Sequence, residues 1–92
     1  MGNQHDSHEV ILKRLKRALG HLEHVIGMVE QDSPCLKTAQ QLQAVISALE
    51  GAKTTLAADH VENCILTALE QNNTPSKTKK LVDELKEMSK YL

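Results

Sequence analysis

Between Pro34 and Pro75 the chain has no proline and a single glycine, Gly51. Across that stretch Leu36, Ala39, Leu42, Val45, Ile46, Leu49, Ala52, Leu56, Val61, Ile65 and Leu69 recur mostly at spacings of three and four. That is the period of an amphipathic helix. The pattern predicts one helix over 34–71, with Ser33 as its cap and Pro34 at its first position. At 1.5 Å per residue such a helix is roughly 55 Å long. A compact chain of 92 residues cannot enclose it. One shorter neighbouring helix cannot cover its whole apolar stripe, so a second chain is expected to do so.

Two further helices flank this long one. Val10, Ile11, Leu15, Leu19, Leu22, Val25, Ile26 and Val29 predict a first helix over 7–30, with Ser7 as a possible cap. Gly20 inside it marks either a close helix crossing or simple tolerance, and Gly51 a bend or a close contact. Asn72-Asn73-Thr74-Pro75 breaks the chain again. Thr74 can cap and Pro75 can open a last helix over 75–92, with Leu81, Val82, Leu85 and Met88 inward. The expected fold is therefore all-α. It is a single domain over residues 1–92, a three-helix subunit with one long central helix. One Tyr and no Phe or Trp leave the core thin, which again points to assembly.

No apolar run is long enough to span a membrane. The polar N-terminus, Met1 to His8, has no signal-peptide core, so a cytoplasmic protein is expected. In a reducing compartment two cysteines fit metal ligands or redox groups better than a structural disulfide. Two inert buried thiols are the plain alternative.

His60 and Cys64 stand at i and i+4, on one face of the long helix. Imidazole and thiolate at that separation can chelate one metal ion. Cys35 precedes His60 on the same helix by a distance of about 37 Å, too far to join it within one chain. If two long helices pair antiparallel about a centre near residues 48–50, Cys35 of one chain reaches His60 and Cys64 of the other. His5 and His8 could complete a metal shell or simply face solvent. His21 and His24, at i and i+3, read as a polar helix edge.

Net charge is −1, so nucleic-acid affinity has to come from local clustering. Lys13, Arg14, Lys16 and Arg17 supply such a cluster on the first helix, and neutralising phosphates needs one. A solvated helix face is the other reading. Lys77, Lys79 and Lys80 form a weaker basic run. No Gly-rich phosphate loop, nucleophile elbow or carboxylate pair suggests an enzyme.

Leu12–Leu22, Met28–Cys35, Gln41–Val45 and Asp59–Cys64 together resemble the copper-sensitive operon repressor family (CsoR/RcnR) over nearly the whole chain. The resemblance implies a three-helix subunit in an antiparallel dimer, assembled into a tetramer as a dimer of dimers. It implies operator DNA bound through the basic first helix in the metal-free state and released by the inducer, so that efflux or detoxification genes are derepressed. Cys35, His60 and Cys64 match the copper members, in which two thiolates and one imidazole bind Cu(I). Soft sulfur donors suit that ion. Nickel/cobalt members add an N-terminal nitrogen, often a histidine near the third residue. Here Asn3 stands there with His5 close by, which leaves Ni(II) or Co(II) as the alternative. Formaldehyde members lack the third ligand and usually carry proline second, whereas this chain has Gly2 and Cys64. Persulfide members keep both cysteines without the histidine. Copper members often place a tyrosine just before the first cysteine, where this chain has Pro34. Glu84 is the candidate carboxylate beside the ligands. From another class, a metal-buffering or purely structural helical oligomer needs no DNA contact and no clustered Lys13, Arg14, Lys16 and Arg17.

Overall fold

The computed structural model describes residues 4–70 and 74–92, with side chains from residue 8 onward. Three helices follow one another: α1 (Gln4–Glu30), α2 (Cys35–Glu70) and α3 (Pro75–Ser89). Among the described residues there is no strand, and the all-α expectation holds. The start of α1 is earlier than the Ser7 cap allowed, because nothing between Gln4 and Ser7 breaks a helix. The end of α3 falls short of residue 92: Lys90 and Tyr91 fold back as a turn onto the carbonyls of Glu87 and Met88.

The α1–α2 corner is built from backbone. Ser33 N donates to Met28 O at 2.9 Å and Asp32 N to Val29 O at 3.2 Å, with Asp32 at φ 55°. This pair of bonds around one left-handed residue is a Schellman stop, here with aspartate where glycine is usual. The expected Ser33 cap does not form, because α2 starts one residue later than expected. The carbonyl of Pro34 accepts the first α2 bond, from Thr38 N at 3.0 Å, and Pro34 therefore sits one position outside the helix. The other break behaves as expected. Thr74 Oγ1 accepts from Lys77 N at 3.3 Å, and Pro75 opens α3 where its missing N–H costs nothing.

α1 runs antiparallel along α2. His21 Nε2 and Gln41 Oε1 lie 2.8 Å apart, and Arg14 Nη1 donates to Thr55 Oγ1 at 3.4 Å. Ile11, Ala18 and Val25 are buried at intervals of one heptad and face a seam containing Val45, Ala52, Ala57 and Cys64. Alanines in that seam let the two helices approach closely. A Cβ added at Gly20 or Gly51 would meet nothing within 4 Å, so Gly20 is tolerance and neither glycine serves a close crossing within the chain. Among the described residues α3 packs on α2 alone and buries no residue fully.

The result is a rod of 60 × 24 × 14 Å with a radius of gyration of 18.4 Å. A compact chain of this length has a radius of about 12 Å. A second apolar face stays open to solvent. Leu12, Leu19 and Ile26 of α1 and Leu42, Leu49 and Leu56 of α2 are each at least 40% exposed, again at heptad spacing. Among the described residues no helix is long and apolar enough to cross a membrane.

Candidate metal centre

One helical turn of α2 brings His60 and Cys64 to the same face, and α3 lays Glu84 over both. Cys64 is buried, while the His60 side chain is 30% exposed and that of Glu84 52%. The Cys64 thiol lies 3.8 Å from Glu84 Oε2, and His60 Nε2 lies 3.5 Å from Glu84 Oε1. The ligand atoms of all three residues fall within 4.8 Å of one another.

The decisive atom is His60 Nε2. It is buried, and although an acidic oxygen stands at ion-pair distance, it makes no hydrogen bond. A buried ring nitrogen without a hydrogen bond is unfavourable by about 1–3 kcal/mol. A metal ion would satisfy it. The site therefore fits a metal on its own geometry: an unsatisfied imidazole nitrogen, a thiol one turn away and a carboxylate over the pair.

Burial pushes the Cys64 thiol above its ordinary pKa, and the charge of Glu84 and its hydrogen bond add to the shift. The metal-free site thus holds a protonated thiol. A metal must displace that proton, so binding is expected to strengthen as pH rises.

Cys35 is not part of this cluster. It opens α2 at the other end of the rod and is exposed. It borders a shallow, mainly apolar pocket of about 330 Å³ with Val29, Asp32, Thr38, Ala39 and Leu42. Both cysteines are free thiols. The side chain of His5 lies outside the described residues.

The basic cluster divides in two. Arg14 and Arg17 line a groove of about 330 Å³ between α1 and α2, together with Ala18, His21, Ser47, Ala48 and Gly51. Lys13 and Lys16 are exposed on the adjoining face of α1. His21 is half-buried through its contact with Gln41, whereas His24 is exposed. Neither the Gln41 contact nor the Thr55 contact of Arg14 had a signal in the sequence. Each depends on how α1 lies along α2.

An all-helical rod with a His beside a buried Cys and a basic groove fits a class, the small helical metal-sensing regulators. The model of the metal-sensitive transcriptional repressor family matches residues 7–91. The copper-sensing transcriptional repressor CsoR of Mycobacterium ulcerans is 36% identical over 81 residues, covering 88% of this chain and 69% of that protein. The copper-sensing transcriptional repressor CsoR of Bacillus subtilis is 30% identical over 80 residues, covering 87% of this chain and 79% of that protein. Among solved structures, the nickel-responsive transcriptional regulator InrS superposes with a TM-score of 0.78 at 30% identity, covering 91% of each chain. The chain belongs to the metal-sensitive transcriptional repressor family. It is a metal-responsive regulator of transcription and not an enzyme.

Proposed function

We propose that the chain is a cytoplasmic repressor that binds operator DNA without metal and leaves it on binding Cu(I), through Cys35 of one subunit with His60 and Cys64 of another. The buried, unbonded Nε2 of His60 beside the Cys64 thiol carries this reading. Two thiolates and an imidazole are the soft, low-coordinate donor set that Cu(I) favours. The relatives named as copper-sensing agree with it.

Assembly is part of the proposal. The chain exposes 7175 Å². A compact monomer of its mass exposes about 5,300 Å². The excess is about what two ordinary interfaces remove from one subunit. Leu42, Leu49 and Leu56 lie symmetrically about Leu49 on α2. An antiparallel pairing of two α2 helices centred there sets Cys35 of the partner subunit opposite residue 63, next to Cys64. The same pairing covers the open leucines. A tetramer made of two such dimers fits the size of the excess.

Arg14 and Arg17, with Lys13 and Lys16, supply the phosphate contacts. Drawing Cys35 toward His60 and Cys64 across the dimer would re-angle the α2 helices and shift the α1 groove against the duplex. A ligand can change DNA affinity only by such a difference between two states.

The likeness to a nickel-responsive regulator supports a second reading, Ni(II) or Co(II) with His5 as an added donor. One experiment separates the two. Reduced protein is titrated with Cu(I), Ni(II), Co(II) and Zn(II) while operator binding is followed, with and without residues 2–8. Release by Cu(I) that survives the truncation supports the copper reading. Release by Ni(II) that the truncation abolishes replaces it. A protein that binds metal but never DNA would be a metal buffer.

A further inference from the structure

The groove between α1 and α2 holds more than its two arginines. Arg14, Arg17 and His21 stand at i, i+3 and i+7 on α1 and line it together, against Ser47, Ala48 and Gly51 of α2. Arg14 and Arg17 are exposed, whereas His21 is half-buried. The His21 ring is clamped across the helix pair, with Nε2 2.8 Å from Gln41 Oε1. An amide oxygen only accepts, so Nε2 carries the hydrogen of that bond. In the neutral ring Nδ1 is then the unprotonated nitrogen. A proton taken up there makes it a charged donor and leaves the bond to Gln41 intact. The clamp also orders the ring before any ligand arrives, which removes part of the cost of a contact. Among the described residues the lining of the groove carries no carboxylate, and Gln41 beside it is uncharged. Glu50 lines a separate cleft, where Lys53 pairs with it at 3.5 Å. One turn along each helix, His24 of α1 and Lys37 of α2 are exposed, and neither is acidic. Among the described residues α3 does not pack on α1.

We infer that His21 is a third phosphate-binding group of this groove and that DNA binding takes up a proton from solvent at its Nδ1. The inference rests on the proposed role of Arg14 and Arg17 in holding DNA, and it adds a contact that pH controls. A row of three nitrogen donors along one face of α1, with no carboxylate to neutralise it, suits a run of phosphates. A neutral polar edge would not need the ring fixed beside two guanidinium groups. Imidazole is the side chain whose charge ordinarily changes between pH 5 and 8. A phosphate beside an imidazole favours the charged form. The protonated ring then donates from Nδ1 to a phosphate oxygen while Nε2 keeps its bond to Gln41. DNA affinity therefore falls as pH rises, independently of any metal.

Mixed-sequence duplex DNA at low salt is a sufficient probe, because phosphate contacts do not depend on sequence. Reduced, metal-free, full-length protein is titrated with it at pH 6 and pH 8. Wild-type affinity is expected to be about fivefold higher at pH 6 for each groove engaged. The salt slope should be steeper there by about one per groove. His21→Gln keeps a side-chain amide that can reach Gln41 but cannot take up a proton, and it should lose most of the rise. His21→Arg carries a permanent charge. It should bind at pH 8 about as tightly as wild type does at pH 6, with no rise between the two. His24→Gln should keep the full rise. Circular dichroism checks that helicity is kept in each variant. Wild-type affinity that is flat between pH 6 and 8 overturns the inference, as does a rise that persists in His21→Gln. His21→Arg binding no tighter than His21→Gln at pH 8 also overturns it, since charge at this position would then not be read by DNA. Equal loss of the rise in His24→Gln overturns it too, because the effect would belong to the helix face and not to the groove. Wild-type protein that binds no DNA at either pH sinks the DNA-binding reading together with this one, whereas flat binding sinks this one alone.

Discussion

At its N-terminal end α2 offers Cys35 to solvent beside a shallow apolar pocket, whereas at its C-terminal end it holds Cys64 buried and His60 half-covered beneath α3. The first end is closed by backbone bonds at Asp32 and Ser33, with the Thr38 hydroxyl donating to Pro34 O, and among the described residues no second covering helix reaches it. The second end carries a third helix, a side-chain cap at Thr74 and a carboxylate over His60 and Cys64. On the proposed ligand set, the contrast teaches that a single chain carries two unequal half-sites. One is a His–Cys chelate that lacks a second sulfur donor, and the other is a sulfur donor without a chelate. A rigid helix keeps them roughly 40 Å apart, so only a second copy can bring unlike ends together.

The largest effect expected from this difference is complementation. Cys35→Ala and Cys64→Ala homomers should each lose Cu(I)-driven DNA release, with affinity down on the order of a hundredfold or more. When the two variants are unfolded together and refolded, mixed dimers regain one intact site, made of Cys35 from one subunit with His60 and Cys64 from the other. With random pairing about a quarter of wild-type capacity returns. Cu(I) binding measured on the mixture decides the matter, and no recovery would place the copper site within one chain.

The second effect is chemical reactivity. Exposed Cys35 should react with iodoacetamide roughly tenfold or more faster than buried Cys64 in metal-free protein. The pH dependence has a definite sign. Burial, then Glu84, raises the Cys64 pKa in the folded state, so the fold favours the protonated thiol. That contribution to stability is fully present below the ordinary thiol pKa and is lost as pH rises through the raised folded value. Alkylation of Cys64 should therefore set in at higher pH than in the unfolded chain. Glu84→Gln should move its onset down only part of the way, because burial, the larger cause, remains. Mass-resolved labelling across pH tests both statements, and equal rates at the two cysteines would erase the contrast between the ends.

A smaller effect belongs to the groove between the two ends. Arg14→Ala or Arg17→Ala should weaken operator binding about tenfold and lower the salt slope by about one. Cu(I) affinity should be unchanged, because neither arginine belongs to either half-site. Binding isotherms at several salt concentrations would show it. A coupled loss of Cu(I) affinity would mean that groove and metal site are not separable.

Much of this molecule was legible in its sequence, for identifiable reasons. The two prolines and the spacing of three and four define α2 almost to the residue, because helix start and stop are local chemistry. The Thr74 cap was legible for the same reason. The pairing of His60 with Cys64 follows from helix geometry alone. What lay beyond sequence reading depended on docking. Glu84 is twenty residues from Cys64 across a helix–helix contact, and it came to notice only through family resemblance. Gln41 against His21 and Thr55 against Arg14 had no local sign. The Ser33 cap failed because the carbonyl of Pro34 accepts the first α2 bond, which puts the cap position at Pro34 and leaves Ser33 outside it.

That aspartate gives the smallest and most local prediction. A non-glycine residue at φ 55° adopts a conformation that glycine enters without a Cβ penalty. Asp32→Gly should raise stability by somewhat less than about 1 kcal/mol, since aspartate already tolerates this region better than most residues. Thr74→Ala at the other end should lower stability by about 1 kcal/mol by stripping a side-chain cap. The pair sharpens the comparison of the two ends, because one is held by backbone conformation and the other by a hydroxyl. Thermal unfolding at fixed protein concentration reads both, concentration being held constant because an oligomer's transition depends on it. A destabilising Asp32→Gly would show that the aspartate side chain, and not the backbone bonds around it, holds the Cys35 end in place.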